Sequence, residues 1–193
     1  FNKTLQPTLS NLDFKITPLI SIRKVSIGPQ PNELAVRFGQ GIPEKTLYQV
    51  SIRNLRDCTG NLLVENQEIT FARSSAAEIG DLVINEVLFN PRTGAPKFVE
   101  IYNASEKYIN LKDWKLANLN GDGLLANRKV VTQQDFIIPP KTFLVFTNDR
   151  ERLKQEYPKG IESQFVEVAL PSYPIQRGNV VWIDPDESVQ EIF

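Results

Sequence analysis

Residues 81–117, DLVINEVLFNPRTGAPKFVEIYNASEKYINLKDWKLA, decide the fold of this chain. Apolar and polar residues alternate in LVINEVLF (82–89) and in KFVEIYN (97–103), which is typical of half-buried strands. The residues between these two runs include prolines and a glycine that favour a turn. Two shorter β-type runs follow, YINL (108–111) and WKLAN (114–118). The stretch therefore predicts the beginning of a β-sandwich, and it contains no arrangement of groups that would carry out a reaction.

The same β-type pattern continues on both sides of this stretch. The other runs are SIRKVSIG (21–28), NELAVRF (32–38), TLYQVSIRNL (46–55), EITFA (68–72), RKVVTQQDFII (128–138), KTFLVFTN (141–148), SQFVEVAL (163–170) and NVVWID (179–184). Residues 73–80, RSSAAEIG, are small and polar and have no periodic apolar face, so they indicate a domain boundary. The sequence therefore predicts an all-β chain in two parts.

One segment departs from the β pattern. Residues 149–158, DRERLKQEYP, place Leu153 and Tyr157 four positions apart between a polar N-cap and Pro158. This pattern predicts one short surface helix. Its positive and negative charges nearly cancel, so we expect a solvated face rather than a surface that binds nucleic acid.

The composition excludes several classes of site. The 193 residues include no His and one Cys, Cys58, so imidazole-dependent triads, imidazole-dependent zinc sites and an intrachain disulfide are excluded. We expect Cys58 to be a partly buried small residue. The formal net charge of −1 provides no attraction to nucleic acid or anionic lipid, because both bind net basic surfaces. We therefore expect no binding to nucleic acid. No transmembrane run is present in the sequence, so we expect a protein that is not membrane-embedded.

Several ordered motifs in the second part resemble the lamin tail domain family. They are INE (84–86), FVEIYN (98–103), LKDWKL (111–116), IIPPKTFLVFTN (137–148) and RGNVVWIDPDESV (177–189). The resemblance covers about residues 80–193 and implies an immunoglobulin-like β-sandwich. In such a fold we expect Trp114 and Trp182 to be core anchors rather than platforms for a ligand.

The first part resembles the immunoglobulin-like repeats of bacterial surface proteins. The resemblance lies in TLYQVSIRNLRDCTGN (46–61), a strand followed by a polar turn. An immunoglobulin-like module followed by a lamin-tail-like module resembles the modular exported proteins of bacteria, especially of the Bacteroides group. A nuclear lamin is a less favoured interpretation, because no heptad rod precedes the domain in this sequence. We predict two tandem immunoglobulin-like β-sandwich domains: residues 1–74, incomplete at the N-terminus, and 75–193, lamin-tail-like. Because the closing hairpin stops at Phe193, we expect the second domain to be incomplete at its C-terminus.

A polar loop provides the candidate metal site. Asn118, Asn120 and Asp122 occupy the first, third and fifth positions of a calcium loop, and Gly123 the sixth, where the chain turns sharply. The twelfth position is Lys129, where calcium loops have a Glu that binds through both oxygens. A simple turn also favours Asn, Asp and Gly. We therefore expect no cofactor, and we keep calcium as the alternative hypothesis.

Glu86 and Glu100 form a second candidate site. They lie on two predicted strands that would be neighbours, and a pair of carboxylates can hydrolyse glycosidic bonds. Like charges that face each other across a sheet cost stability, and nothing else nearby in the sequence indicates a substrate cleft. We therefore expect solvent-facing or cation-paired carboxylates, and no enzymatic activity.

The sequence thus favours a non-catalytic structural or interaction module of a larger exported bacterial protein. We expect it at the cell surface, where its loops or sheet faces would bind a protein or a carbohydrate. The alternative is an accessory binding segment of a secreted hydrolase or nuclease whose catalytic domain lies outside this chain. A calcium-stabilised module is the third hypothesis, and calcium would then raise its melting temperature.

Overall fold

The computed structural model describes residues 1–9, 11–64, 67–174 and 178–193. Arg177, the first residue of one lamin-tail motif, lies outside them. Within these ranges the regular elements are strands, apart from helix α1 (Arg150–Glu156) and a 3₁₀ turn at Glu162–Gln164. The prediction of an all-β fold with one short helix is confirmed. No helix in the described part of the chain has the length and apolar character needed to cross a bilayer. The chain divides into two units, Phe1–Arg73 and Ser74–Phe193.

The first unit is built from short antiparallel strands. They are β1 (Asp13–Thr17), β2 (Ile22–Ile27), β3 (Leu34–Phe38), β4 (Leu47–Arg53), β5 (Leu55–Arg56), β6 (Leu62–Val64) and β7 (Gln67–Ala72). Strand β4 lies between β1 and β7 in one sheet, whereas β2–β3 and β5–β6 form hairpins. Because side chains alternate along β4, Tyr48, Val50 and Ile52 are buried in the core, together with Leu5 and Leu55.

Strand β1 was not expected from the sequence, which predicts no strand before residue 21. It pairs with β4 from Asp13, opposite Arg53, to Thr17, opposite Gln49. The strand has five residues, and Ile16 is its one buried side chain. Phe14 and Ile16 alternate with polar residues in DFKIT, so the strand pattern is present in the sequence although no strand was predicted from it.

The second unit contains two four-stranded sheets. Its strands are β8 (Leu82–Leu88), β9 (Phe98–Asn103), β10 (Ile109–Asn110), β11 (Lys115–Leu119), β12 (Leu125–Val130), β13 (Ile137–Ile138), β14 (Phe143–Thr147), β15 (Phe165–Glu167), β16 (Val181–Ile183) and β17 (Val189–Ile192). One sheet has the order β15-β14-β9-β8 and the other β12-β11-β16-β17, while β10 pairs with β13. The closing hairpin is β16–β17, as predicted.

The inner faces of the two sheets form the core of the second unit. Val99 and Phe146 come from one sheet and Leu116 and Trp182 from the other, and all four are at most 1% exposed. The rings of Trp114 and Trp182 stack with their centroids 4.9 Å apart. The prediction that both tryptophans anchor the core is therefore confirmed.

The predicted strand at 128–138 is wrong in its extent. Strand β12 begins earlier, at Leu125, and ends at Val130. Strand β13 is a separate strand of two residues that pairs with β10. The polar residues between them form a turn, because the Thr132 hydroxyl accepts a hydrogen bond from the backbone N–H of Gln134 at 3.1 Å. Local side-chain bonding thus ends the strand.

Candidate functional site

A groove of about 570 Å³ lies on the outer face of the β15-β14-β9-β8 sheet. The strands contribute Phe98, Val145 and Phe165, and the chain that follows α1 contributes Tyr157 and Ile161. Side chains on this face alternate with the core residues of the same strands, so the sheet is apolar on both faces here. Part of the outer face is covered by α1, and the remainder forms the groove.

Helix α1 fixes one side of the groove. The side chain of Asp149 caps the helix by accepting a hydrogen bond from the backbone N–H of Arg152 at 2.9 Å. Leu153 is the buried residue of the helix, and it packs against Phe98, Val145 and Phe165. The helix is thereby held against the outer face of the sheet.

The segment after α1 is ordered by its own hydrogen bonds. The backbone N–H of Gly160 donates to the Tyr157 carbonyl at 2.9 Å, and the Lys154 ammonium donates to the Gly160 carbonyl at 2.7 Å. A Cβ at Gly160 would overlap the ring of Phe165, so the close approach requires glycine. Tyr157 and Ile161 nevertheless remain 45% and 60% exposed. The groove therefore presents apolar side chains to solvent on an ordered frame.

The two candidate carboxylates line this groove. Glu86 and Glu100 are direct partners across β8 and β9, next to an irregularity in the register after Ile84, which confirms that they lie side by side. The amide of Asn85 donates to Oε1 of Glu100 at 2.7 Å. Burial raises the pKa of Glu100 above its usual 4.5, the Asn85 hydrogen bond opposes this shift, and the negative charge of Glu86 adds to it.

The surroundings of this pair differ from the sequence-based expectation. Glu86 is exposed, as expected, but Glu100 is partly buried. In the described ranges no Lys or Arg lies within 4.0 Å of either carboxylate. The sequence around the pair gives no signal for the groove, because the groove is completed by residues far along the chain, such as Tyr157 and Ile161.

The remaining charges of the groove are partly compensated. Glu156 is held by Arg92, whose Nε donates to its carboxylate at 2.7 Å. Lys159 also lines the groove, but it is exposed and makes no ion pair with Glu86 or Glu100. The groove therefore contains two carboxylates, Glu86 and Glu100, without a described cationic partner, and one exposed ammonium group, that of Lys159.

The predicted calcium loop forms the turn between β11 and β12. Asn118 donates to the Ser172 carbonyl at 2.7 Å, and its own oxygen accepts from the amide of Asn127 at 3.1 Å. The side-chain oxygen of Asn120 accepts the backbone N–H of Asp122 at 3.0 Å and a second N–H of the same turn. These hydrogen bonds account for both asparagines as parts of a hairpin. Calcium binding stays a prediction.

The turn that follows β5 in the first unit is organised by a buried carboxylate. Asp57, 4% exposed, accepts the hydroxyl of Thr59 at 2.7 Å and the backbone N–H of Asn61 at 2.9 Å. The Thr59 hydroxyl is the largest cause that lowers the pKa of Asp57 to about 2, although burial opposes it. Cys58 is exposed, so the expectation of partial burial is wrong. In this turn the inward position belongs to Asp57.

The comparison with known families is decided by the second unit. The family model described as Lamin Tail Domain matches residues 75–189, which is more than half of the chain. The chain belongs to the lamin tail domain family. Membership was predicted from the motifs of the second part and is confirmed. No curated protein and no solved structure matches this chain. The groove and both carboxylates lie within the matched residues, so they are features of the lamin tail domain.

Proposed function

We propose that this chain is a non-catalytic interaction module of a larger exported bacterial protein at the cell surface. The observation that carries the proposal is the groove, which leaves Tyr157 and Ile161 exposed beside Glu86 and Glu100, two carboxylates with no Lys or Arg partner in the described ranges. Contiguous exposed apolar surface on an ordered frame is characteristic of binding sites. In this proposal the lamin tail domain presents the groove to a partner, and the first unit is an immunoglobulin-like module of the same protein.

The lining of the groove favours binding over catalysis. Hydrolysis of a glycosidic bond by Glu86 and Glu100 would require polar groups that hold the sugar hydroxyls around the pair. The neutral polar side chains of the lining are Gln164 and Tyr157, and most of the other lining residues are apolar. A partner with apolar groups therefore fits this surface better than a carbohydrate does.

Site-specific photo-crosslinking tests the proposal. Ile161 is replaced by p-benzoylphenylalanine in the full-length protein, and irradiation is carried out on the cells that express it. Leu124, which is 64% exposed in the β11–β12 turn, is the matched control position. We expect covalent adducts from position 161 and none from position 124. Equal labelling at both positions, or no adduct at position 161, contradicts the proposal.

The same groove would also serve an accessory binding segment of a secreted hydrolase or nuclease. The full-length reading frame separates the two versions. A catalytic domain elsewhere in the protein favours the accessory role, whereas further immunoglobulin-like repeats favour the cell-surface scaffold.

A further inference from the structure

We infer that the groove binds a lysine or arginine side chain, together with an adjacent apolar residue, from a segment of a partner protein. This inference rests on the proposed interaction function and specifies the chemistry of the partner. It is carried by the charge of the groove and by the apolar character of its lining.

The charge of the groove is complementary to a cation. Glu86 and Glu100 face each other across two strands, and in the described ranges neither has a Lys or Arg within 4.0 Å. Two like charges in this position repel each other, and partial burial of Glu100 removes part of its hydration. A cation between the carboxylates would relieve both effects through charge-assisted hydrogen bonds. Glu156 is paired with Arg92, so it contributes little to this field.

The apolar lining fits the stem of a long basic side chain. Lys and Arg bury their methylene groups along apolar surfaces while the charged end reaches a polar group. Phe98 and Tyr157, with ring centroids 5.9 Å apart in an edge-to-face arrangement, lie in the same groove as the carboxylates. Aromatic faces also attract cations. Beyond the charged end, the exposed side of Ile161 remains available for a neighbouring apolar residue of the partner.

Other occupants fit these observations less well. Calcium requires six to eight oxygen ligands, whereas three carboxylates line this groove beside apolar groups, and one of them, Glu156, is paired with Arg92. No cluster of three metal-binding acidic residues or cysteines occurs in the part of the chain that the structure describes. An anionic ligand would be repelled by Glu86 and Glu100, since Lys159 supplies one opposing charge. A basic peptide segment satisfies both the charge and the apolar surface.

Selection from a displayed library of random nine-residue peptides tests the inference on the 193-residue chain. We expect enriched peptides to contain Lys or Arg within two positions of an aromatic or aliphatic residue. For a resynthesised peptide, Glu86→Gln/Glu100→Gln should raise the Kd about tenfold or more, because charge-assisted hydrogen bonds are lost. The matched control Glu78→Gln/Glu106→Gln makes the same charge change at two exposed carboxylates outside the groove and should leave the Kd within about twofold.

Each outcome has one meaning. Enriched peptides without a basic residue, or peptides whose Kd is insensitive to the Glu86→Gln/Glu100→Gln change, overturn the inference and leave the interaction function standing. No enrichment also overturns it, and when position 161 gives no crosslink either, the proposed function fails as well. Glu and Gln have nearly the same shape, so we expect each variant to fold. Thermal melting of each variant checks that a change in Kd does not come from unfolding.

Discussion

Replacing one of the paired carboxylates by glutamine is expected to stabilise the lamin tail domain. Glu86 and Glu100 are direct cross-strand partners, and the pKa of Glu100 is raised by burial and by the charge of Glu86. Either Glu86→Gln or Glu100→Gln removes the repulsion between them. Gln at position 100 retains an oxygen that accepts the amide of Asn85, so the existing hydrogen bond is kept.

The size of the gain follows from the geometry of the pair. A charged pair on neighbouring strands changes stability by about 0.2–1 kcal/mol, and two like charges that face each other lower it. Each single variant should therefore gain about that much free energy of unfolding. The double variant should gain less than the sum of the two, because the second substitution finds no repulsion left to remove. Raising the salt from about 0.1 M to about 1 M shortens the Debye length from about 10 Å to about 3 Å and should narrow the difference from the wild type.

The dependence on pH gives an independent check on the sign. The folded pKa of Glu100 lies above its usual 4.5, so protonation favours the folded state. The corresponding stability is present below about pH 4.5 and is lost as the pH rises through the folded pKa. In Glu100→Gln this loss should disappear.

Urea unfolding at pH 7, with the four members of the double-mutant cycle compared, measures these energies. Glu78→Gln is the control, since Glu78 is an exposed carboxylate that pairs with Lys107. If neither groove variant is more stable than the wild type, or if the two effects add without coupling, the repulsion inferred from the structure is absent.

Three further results are expected. Leu153→Ala should lower the free energy of unfolding by about 2–5 kcal/mol in urea titrations, because Leu153 is the buried residue of α1, whereas Leu124→Ala should have little effect; equal losses would contradict this packing. Because the pKa of Asp57 falls from 3.8 to about 2 on folding, the stability that Asp57 contributes should be lost as the pH falls from 3.8 to about 2. The melting temperature of Asp57→Asn should therefore change less with pH in this range than that of the wild type; equal changes in both proteins would refute the assignment. If the calcium loop is correct, millimolar calcium should raise the melting temperature and Asp122→Asn should abolish the rise; an unchanged melting temperature would contradict the calcium hypothesis.

Most of the strands follow from the sequence because their alternation has a direct physical cause. In β4, Tyr48, Val50 and Ile52 point inward while the residues between them are more exposed, so the pattern repeats every two residues. The helix was predictable from Asp149 and Pro158, which mark its ends. The split of the 128–138 segment was not, because it depends on a local hydrogen bond of Thr132 that competes with strand pairing.

The candidate site was only partly predictable. The strand pattern places Glu86 and Glu100 side by side, but the irregularity after Ile84 that sets their pairing has no clear sequence signal. The groove depends on long-range packing by the chain after α1. One signal was present: Leu153, Tyr157, Ile161 and Phe165 follow one another at intervals of four residues, and the spacing continues beyond the end of the helix at Glu156. Apolar spacing that continues past a helix end indicates a segment packed on another element.

Mapping a selected basic peptide onto the isotopically labelled chain by NMR tests the assignment of the binding surface most directly. We expect the largest backbone amide shifts at Glu86, Glu100 and Ile161, and little change in the β11–β12 turn around Leu124. The same peptide with its Lys or Arg replaced by Gln should produce much smaller shifts at equal concentration. Shifts centred on the β11–β12 turn, or equal shifts from both peptides, would contradict the groove as the surface where this lamin tail domain binds its partner.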